Sequence, residues 1–341
     1  MENIASSRNE TRGFGRGLLR RVAGAILVAA SLLIASHGVQ AQPFPRAPIH
    51  LIIPFPPGGA TDLIGRQLGT ELSRRFGQAI VIENRAGATG AVGMKAMTLA
   101  RPDGYTLALG ASGNVSVDPA LEKLPYDPAT DMVAVAPVVS ISFVVFANPS
   151  FPPNSIRELI DFAKRNPGKI NFASSGTGGS PHLASELLRS RGGFDMLHIP
   201  YKGAVPAITD VVSGEVHMMT GDANTALPFI QSGRLKALAV TGAERMDLLP
   251  HVPTVAESGL PGFEANNWFG IFVPAKTPSD IVETLYKAVD ASVQTPAFAK
   301  GMAALGGRRL VMSRADFLRY IASETVKRSN LIKSNKLDLS K

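Results

Sequence analysis

The stretch that decides the fold is HLIIPFPPGGATD, residues 50 to 62. Apolar, strand-favouring residues run directly into prolines and two glycines, and a segment of helical period starts at Asp62. A loop of this kind at the carboxyl edge of a parallel sheet turns its backbone N–H groups outward, beside the positive end of the next helix dipole. The stretch therefore predicts a strand, an anion-attracting loop and a helix.

The same pattern repeats along the chain. Apolar runs of about five residues alternate with segments of helical period, which predicts an α/β fold of βαβ units. The pattern restarts after residue 150, so we expect two lobes, each a mainly parallel sheet flanked by helices. Phe143–Ala147 and Phe269–Val273 are the expected crossing strands. The expected lobes are residues 42–145 together with 268–341, and residues 146–267.

The amino terminus has the features of an export signal. Five arginines precede an almost uncharged run, Val22–Ile34, and the small-x-small sequence Val39-Gln40-Ala41 follows. This arrangement is typical of a secretory signal peptide, residues 1–41, cut after Ala41. A membrane anchor is the alternative, but the run is short against the roughly 20 residues that span a bilayer. The pair Arg20-Arg21 leaves twin-arginine export open beside general secretion, and either route predicts a periplasmic protein.

Composition narrows the possible partners. The net charge is +8 and the aromatic fraction is 6%. The charges are spread along the chain, which favours small anions and argues against nucleic acid. The sequence has no cysteine, so stability depends on burial and cysteine-ligated metals are excluded. Single, scattered histidines lack the i, i+4 spacing of a zinc helix, and we expect no metal and no cofactor.

A second glycine-rich loop occurs in the other half, NFASSGTGGSPHL, residues 171 to 183. Two such loops can close on one ligand from opposite sides. Neither loop fits the dinucleotide or nucleoside-triphosphate motifs. Ser180 lacks the G-x-S-x-G context of a hydrolase nucleophile, and a base cannot be assigned to it from the sequence. An exported hydrolase using Ser180 is therefore a weaker alternative to a binding protein.

Nine segments, in order along nearly all of residues 42–341, resemble the substrate-binding proteins of tripartite tricarboxylate transporters, the Bug family. They are PFPPGGATD (54–62), ENRAGATGAVG (83–93), PDGYTLALG (102–110), LPYDPATD (124–131), SSGTGGSPHLA (174–184), HIPYKGAVPAITDVVSGEV (198–216), LKALAVTGAER (235–245), LPHVPTVAESGLPGFE (249–264) and WFGIFVPA (268–275).

The resemblance implies a type II-like periplasmic binding protein, monomeric and without catalysis. Such a receptor captures a small carboxylate and delivers it to an inner-membrane permease. The ligand classes implied are di- and tricarboxylates and carboxylate-bearing amino acids or aromatic acids. A receptor that presents its carboxylate to a signalling protein is the alternative function.

The resemblance also implies the ligand-binding positions. They are Phe55, Gly58, Gly59, Ala60, Thr61 and Asp62 in the first loop, Ser112 after the third strand, Ser175, Gly176, Thr177, Gly179, Ser180 and His182 in the second loop, and Tyr201, Lys202 and Asp222.

Several of these positions have a second interpretation. Asp62 is expected to cap its own helix and not to touch an anion. Lys202 pairs either with the ligand or with a surface acid, and Tyr201 either binds or packs. Asp222 is displaced by one position from the acid usual in the family, so it accepts an amino or hydroxy group only if it faces the cleft. Trp268, at a crossing, is expected to report closure.

Overall fold

The computed structural model describes residues 44–117 and 124–334. The chain from Phe44 onward clusters as one compact unit. The predicted signal peptide lies outside the described residues. Within those ranges, no helix has both the length and the apolar character that crossing a membrane requires.

Strands and helices alternate as expected. The strands are β1 (Ile49–Ile53), β2 (Ile80–Asn84), β3 (Thr106–Ala111), β4 (Met132–Ala147), β5 (Asn171–Ser174), β6 (Leu197–Pro200), β7 (Met218–Asp222), β8 (Lys236–Val240), β9 (Asn266–Pro274) and β10 (Gly307–Arg309). The helices are α1 (Ala60–Phe76), α2 (Ala91–Thr98), α3 (Ile156–Arg165), α4 (Ser180–Gly192), α5 (Ala204–Ser213), α6 (Ala223–Gln231), α7 (Ser279–Val293), α8 (Pro296–Ala304) and α9 (Arg314–Ser334).

Local sequence signals account for several helix ends. Helix α1 stops at Gly77, which adopts the left-handed conformation with φ +63°, as glycine after a helix commonly does. Helix α3 starts after Ser155, whose Oγ accepts the amide of Glu158. The Glu158 carboxylate reaches back to the amide of Asn154 at 2.8 Å. The predicted capping box is therefore present, with its return bond one residue earlier than in the standard form.

The sheet is mixed. Its strand order is β2-β1-β3-β9-β4-β7-β5-β6, and β8 and β10 also pair with β4. The pairs among β1, β2 and β3 and among β5, β6 and β7 are parallel. Every pair that includes β4 or β9 is antiparallel. The α/β class is confirmed, but the sheet is parallel only in its outer parts.

Strand β4 joins the two groups of strands. Its residues 132–142 pair with β9 and β10, and its residues 143–147 pair with β7 and β8. On the return, the amide of Ala265 binds the carbonyl of Thr241 and Asn266 then pairs with Ser142. The chain thus leaves the second group at 265–266, and Phe269–Val273 lies inside the first group.

Apolar cores cover both faces of each group of strands. In the first group, α1, α7 and α8 pack on one face, and α2 and α9 pack on the other. In the second group, α3 and α4 cover one face, and α5 and α6 cover the other. The layers leave the carboxyl ends of the parallel strands and their loops free, which is where ligands bind in open α/β sheets.

Candidate functional site

The first loop connects β1 to α1 and presents unpaired amides. Gly58 has φ +85°, a conformation that favours glycine. Gly59 is the N-cap residue, and its carbonyl accepts the amide of Leu63 at 3.1 Å. The amides of Ala60 and Thr61 lie in the first helical turn, and no acceptor for them occurs among the described residues. These N–H groups and the helix dipole are suited to binding an anion.

The Asp62 carboxylate fixes this loop through hydrogen bonds. Its carboxylate accepts the amide of Gly58 at 2.9 Å, Nε of Arg66 at 2.9 Å and Nδ2 of Asn84 at 2.9 Å. The hydrogen bond from Arg66 is the main cause that lowers the pKa of Asp62 to about 2. The expected capping role is present in a shifted form, because Gly59 occupies the N-cap and Asp62 binds the residue before it. Because all three donors belong to the protein, these bonds argue against a direct contact between the Asp62 carboxylate and a ligand.

The second loop, between β5 and α4, repeats this geometry residue for residue. Gly178 has φ +79°, Gly179 is the N-cap, and its carbonyl accepts the amide of Leu183 at 3.0 Å. The amide of Gly178 donates to Nδ1 of His182 at 3.0 Å. GGATDL (58–63) and GGSPHL (178–183) therefore form equivalent structures. In both, the third helical residue binds the amide of the first glycine.

His182 is a buried, neutral support for the second loop. Its ring stacks on His198 at a centroid distance of 3.9 Å, and Phe172 stacks beyond it. Burial above all, with His198 and Arg189 nearby, lowers the pKa of His182 to about 3. A neutral ring is needed because Nδ1 accepts a hydrogen bond. Its Nε2 lies 3.8 Å from Oε1 of Glu186, whose pKa burial raises.

A serine pair connects the two halves of the site. The Ser112 hydroxyl, directly after β3, lies 3.2 Å from the Ser180 hydroxyl at the start of α4. Ser112 also donates to Oδ1 of Asn267 at 2.8 Å. Ser112 is fully buried, and Ser180 is 8% exposed. The first residue of α4 is therefore held against the end of β3, which is parallel to β1 and ends beside the first loop.

The remaining part of the first loop packs on neighbouring glycine-rich turns. A side chain at Gly90 would meet Nδ2 of Asn114 and the Phe55 ring, so these groups are adjacent. Nδ2 of Asn114 is buried and has no protein acceptor among the described residues. Asn84 at the end of β2 donates to the carbonyl of Phe55 at 3.1 Å. Phe55 is thus fixed at the edge of the first loop.

The other predicted positions differ in whether their side chains are free to contact a ligand. The Tyr201 hydroxyl donates to Asp210 at 2.6 Å, and burial followed by this bond raises the pKa of Tyr201 to about 12. This geometry supports packing. Lys202 is exposed, and its ammonium makes no bond within the described residues. Ser175, Gly176 and Thr177 are half-buried along the second loop, and Gly179 is exposed.

Asp222 ends β7 on the side of α4. Two residues earlier on the same face, Thr220 Oγ1 accepts the hydroxyl of Ser185 on α4 at 2.8 Å. The Asp222 carboxylate has no protein partner within the described chain, and burial raises its pKa. It is half-buried. A group with these properties can hydrogen-bond a ligand hydroxyl or amine.

Asn84, Asn114 and Asn267 were not predicted as site residues. Asn84 ends β2, Asn114 follows β3 by three residues, and Asn267 is the second residue of β9. The parallel pairing of β1, β2 and β3 brings the first two to the first loop. Their position at strand ends was visible in the sequence, but the strand order was not.

Known proteins share this architecture. The sequence model of the tripartite tricarboxylate transporter family receptor matches residues 64–337. The chain is 35% identical to the protein BugT of Bordetella pertussis over 308 residues, 88% of this chain and 94% of BugT.

The chain belongs to the tripartite tricarboxylate transporter receptor family. Two solved structures from R. palustris agree with it. Rpa4515 with adipate has a TM-score of 0.72 and 31% identity, covering 85% of this chain and 98% of that one. MatC with bound malate has a TM-score of 0.70 and 30% identity, covering 85% and 100%.

Membership of this receptor family settles the class of activity. The family consists of periplasmic solute-binding receptors and not of enzymes. The hydrolase alternative is therefore wrong. The geometry agrees, because His182 Nδ1 is bonded to the Gly178 amide and the Ser180 hydroxyl contacts the Ser112 hydroxyl.

Proposed function

We propose that this receptor captures a small carboxylate between its two glycine loops and delivers it to an inner-membrane permease. One observation carries the proposal. The loops at 58–63 and 178–183 have the same local structure, each presents free amides at a helix start, and the Ser112–Ser180 contact holds the start of α4 against the end of β3, beside the first loop.

The amide donors of the two glycine loops favour a carboxylate. The amides of Ala60 and Thr61 on one side and of Ser180 on the other are donors with positive helix ends behind them. Hydrogen bonds to a charged acceptor are worth about 1.5–3 kcal/mol each. Adipate and malate, which are present in the structures of two relatives, have two carboxylates each. We propose a dicarboxylate as the ligand, with Lys202 and Asp222 as contacts for its second end.

The proposed capture depends on two lobes, residues 42–145 with 268–341 and residues 146–267. Each lobe contributes one loop, and the contacts between the loops form only when the lobes approach. Export by removal of residues 1–41 and action as a monomer complete the proposal. Strand β4 changes partners between residues 142 and 143, and the chain returns at 265–266. These two places support a hinge.

Isothermal titration of the protein with adipate and malate tests the proposal. The decisive variant is Ala60→Pro, because proline suits the first helical position and Gly59 already has the extended backbone that precedes proline. It removes one amide donor at the first loop. We expect affinity to fall at least tenfold, which is about 1.4 kcal/mol.

Ser279→Pro is the matched control. Ser279 is the exposed first residue of α7, follows an extended Pro278 and is not among the site residues. It should bind as the wild type does. Equal affinities of Ala60→Pro and wild type, or no binding of any mono-, di- or tricarboxylate, would remove the proposal.

A further inference from the structure

A second concave feature lies away from the glycine loops. It is a cavity of about 510 Å³. One wall is the segment that follows β8 and includes Ala243, and the other wall is the end of α8 together with β10 and includes Ala303. Ser140 and Ser142 of β4 and Asn266 of β9 also line it. We call it the rear cavity.

The rear cavity and the glycine loops lie on opposite faces of the connecting strands. Ser142 pairs with Asn266, and both line the cavity. The next pair between the two strands is Ile141 with Asn267, and successive side chains of a strand point to opposite faces. Asn267 accepts the hydroxyl of Ser112 at 2.8 Å. The contact between the end of β3 and the start of α4 is therefore on the face away from the cavity.

The two walls of the rear cavity come from different groups of strands. Arg308 on β10 of the first group forms ion pairs with Glu244 and Asp247, which follow β8 of the second group. The walls are already close at Gly306, where an added Cβ would lie 3.1 Å from Met246 Sδ. The rear cavity is thus a gap between the two groups of strands, next to the position where β4 changes partners.

A bend in the connecting strands changes the two faces in opposite directions. In the proposed function, on which this inference rests, one lobe turns on the other at residues 142–143 of β4 and at 265–266. A bend that brings the glycine loops together on one face draws the walls of the rear cavity apart on the other face. A bend that separates the loops draws the walls together, so the volume of the rear cavity falls.

We propose that the rear cavity sets the balance between the open and the closed receptor. The Ser112–Ser180 contact at 3.2 Å belongs to the closed arrangement, in which the cavity is wide. A group that fills the cavity in this arrangement collides with both walls on opening and so disfavours the open form. Filling the rear cavity therefore raises the affinity for a carboxylate that it does not touch, because the binding-competent form is more populated.

A larger side chain at Ala303 tests this coupling. Ala303 is half-buried in α8 and lines the cavity, whereas its neighbour Ala304 is exposed and does not line it. Ala303→Phe fills part of the rear cavity, and Ala304→Phe is the matched control. In isothermal titration with malate and adipate, Ala303→Phe should have a Kd about threefold to tenfold lower than that of the wild type, in proportion to its larger closed fraction. Ala304→Phe should bind as the wild type does.

A second measurement needs no carboxylate. The sequence has no cysteine, and Ser112 is fully buried in the closed arrangement. The thiol of Ser112→Cys therefore reacts with iodoacetamide when the lobes separate. Adding Ala303→Phe to Ser112→Cys should slow this alkylation about threefold or more, in step with the smaller open fraction. Adding Ala304→Phe should leave the rate unchanged.

The two measurements distinguish failure of this proposal from failure of the proposed function. Slower alkylation in the Ala303→Phe background supports the coupling even if the wild type binds no carboxylate, a result that would remove the proposed function alone. If Ala303→Phe does not fold, as judged by circular dichroism, Ala243→Phe on the opposite wall takes its place with the same expected results. The proposal is overturned if the cavity variant has the alkylation rate of Ala304→Phe, or if it binds malate no more tightly than Ala304→Phe does.

Discussion

At the residue scale, two unlike side chains have the same task. Asp62 and His182 each occupy the third position of a helix and each bind the amide of a left-handed glycine four residues earlier. An ionised carboxylate does this beside Arg66, and a neutral imidazole does it in an aromatic stack. Both fix the loop before a ligand arrives, so less conformational freedom is lost on binding.

The burial of His182 predicts a pH dependence of stability. In the unfolded chain the ring titrates near its ordinary pKa of 6.5, whereas in the folded protein it stays neutral down to about 3. Between these values the unfolded state binds more protons, so the stability present above pH 6.5 is lost as the pH falls. The loss is up to about 1.4 kcal/mol per pH unit.

His182→Asn isolates this contribution, because an amide oxygen can accept the Gly178 amide without titrating. Urea unfolding between pH 7 and about 4 should give a shallower decline for His182→Asn than for the wild type. His251→Asn, at an exposed position, should follow the wild-type curve. Parallel curves for wild type and His182→Asn would show that the ring does not contribute as described.

At the element scale, the carboxyl-terminal helix α9 contacts both groups of strands. Phe317 packs with Trp268 and Phe272 on the first group, and Leu331 and Ile332 pack with Leu183 of α4. Between these contacts, Arg328 is 5% exposed and pairs with Glu324 at 3.2 Å. It also donates to the carbonyl of Asn266 at 3.1 Å, next to the passage between the groups.

Arg328→Ala should destabilise the protein by about 3 kcal/mol, because it leaves Glu324 buried with only Lys327 as a partner. Arg319→Ala on the same helix breaks an exposed pair with Asp316 and should cost no more than about 1 kcal/mol. Denaturant unfolding measures both. Equal losses for the two variants would mean that burial does not strengthen the Arg328 pair.

The sequence predicted the individual strands and helices better than the order in which the strands pair. Strand β1 and helix α5 have their expected bounds, because the pattern of period and turn residues is local. The 16 residues of β4 were recognised only at their carboxyl end, since a strand buried on both faces lacks alternation. The glycine loops and a capping role for Asp62 were predicted, but the supporting roles of His182 and Asn84 depend on side-chain direction and strand order, which one sequence does not give.

At the scale of the whole molecule, a single connected sheet carries two equivalent glycine loops. The parallel strands place each loop at a carboxyl edge, and the antiparallel strands β4 and β9 connect the two groups. This arrangement agrees with a receptor whose ligand is held from both sides. In the proposed function, the two loops act on the same carboxylate.

Calorimetry on matched variants of the two loops tests this claim most directly. Ser180→Pro is the counterpart of Ala60→Pro, since Gly179 also has an extended backbone and Ser180 is also the first helical residue. Ser180→Ala separates loss of the hydroxyl from loss of the amide. With adipate or malate, each proline variant should bind at least tenfold more weakly, and the double variant should show no measurable heat. Wild-type affinity in either proline variant would show that its loop does not touch the ligand.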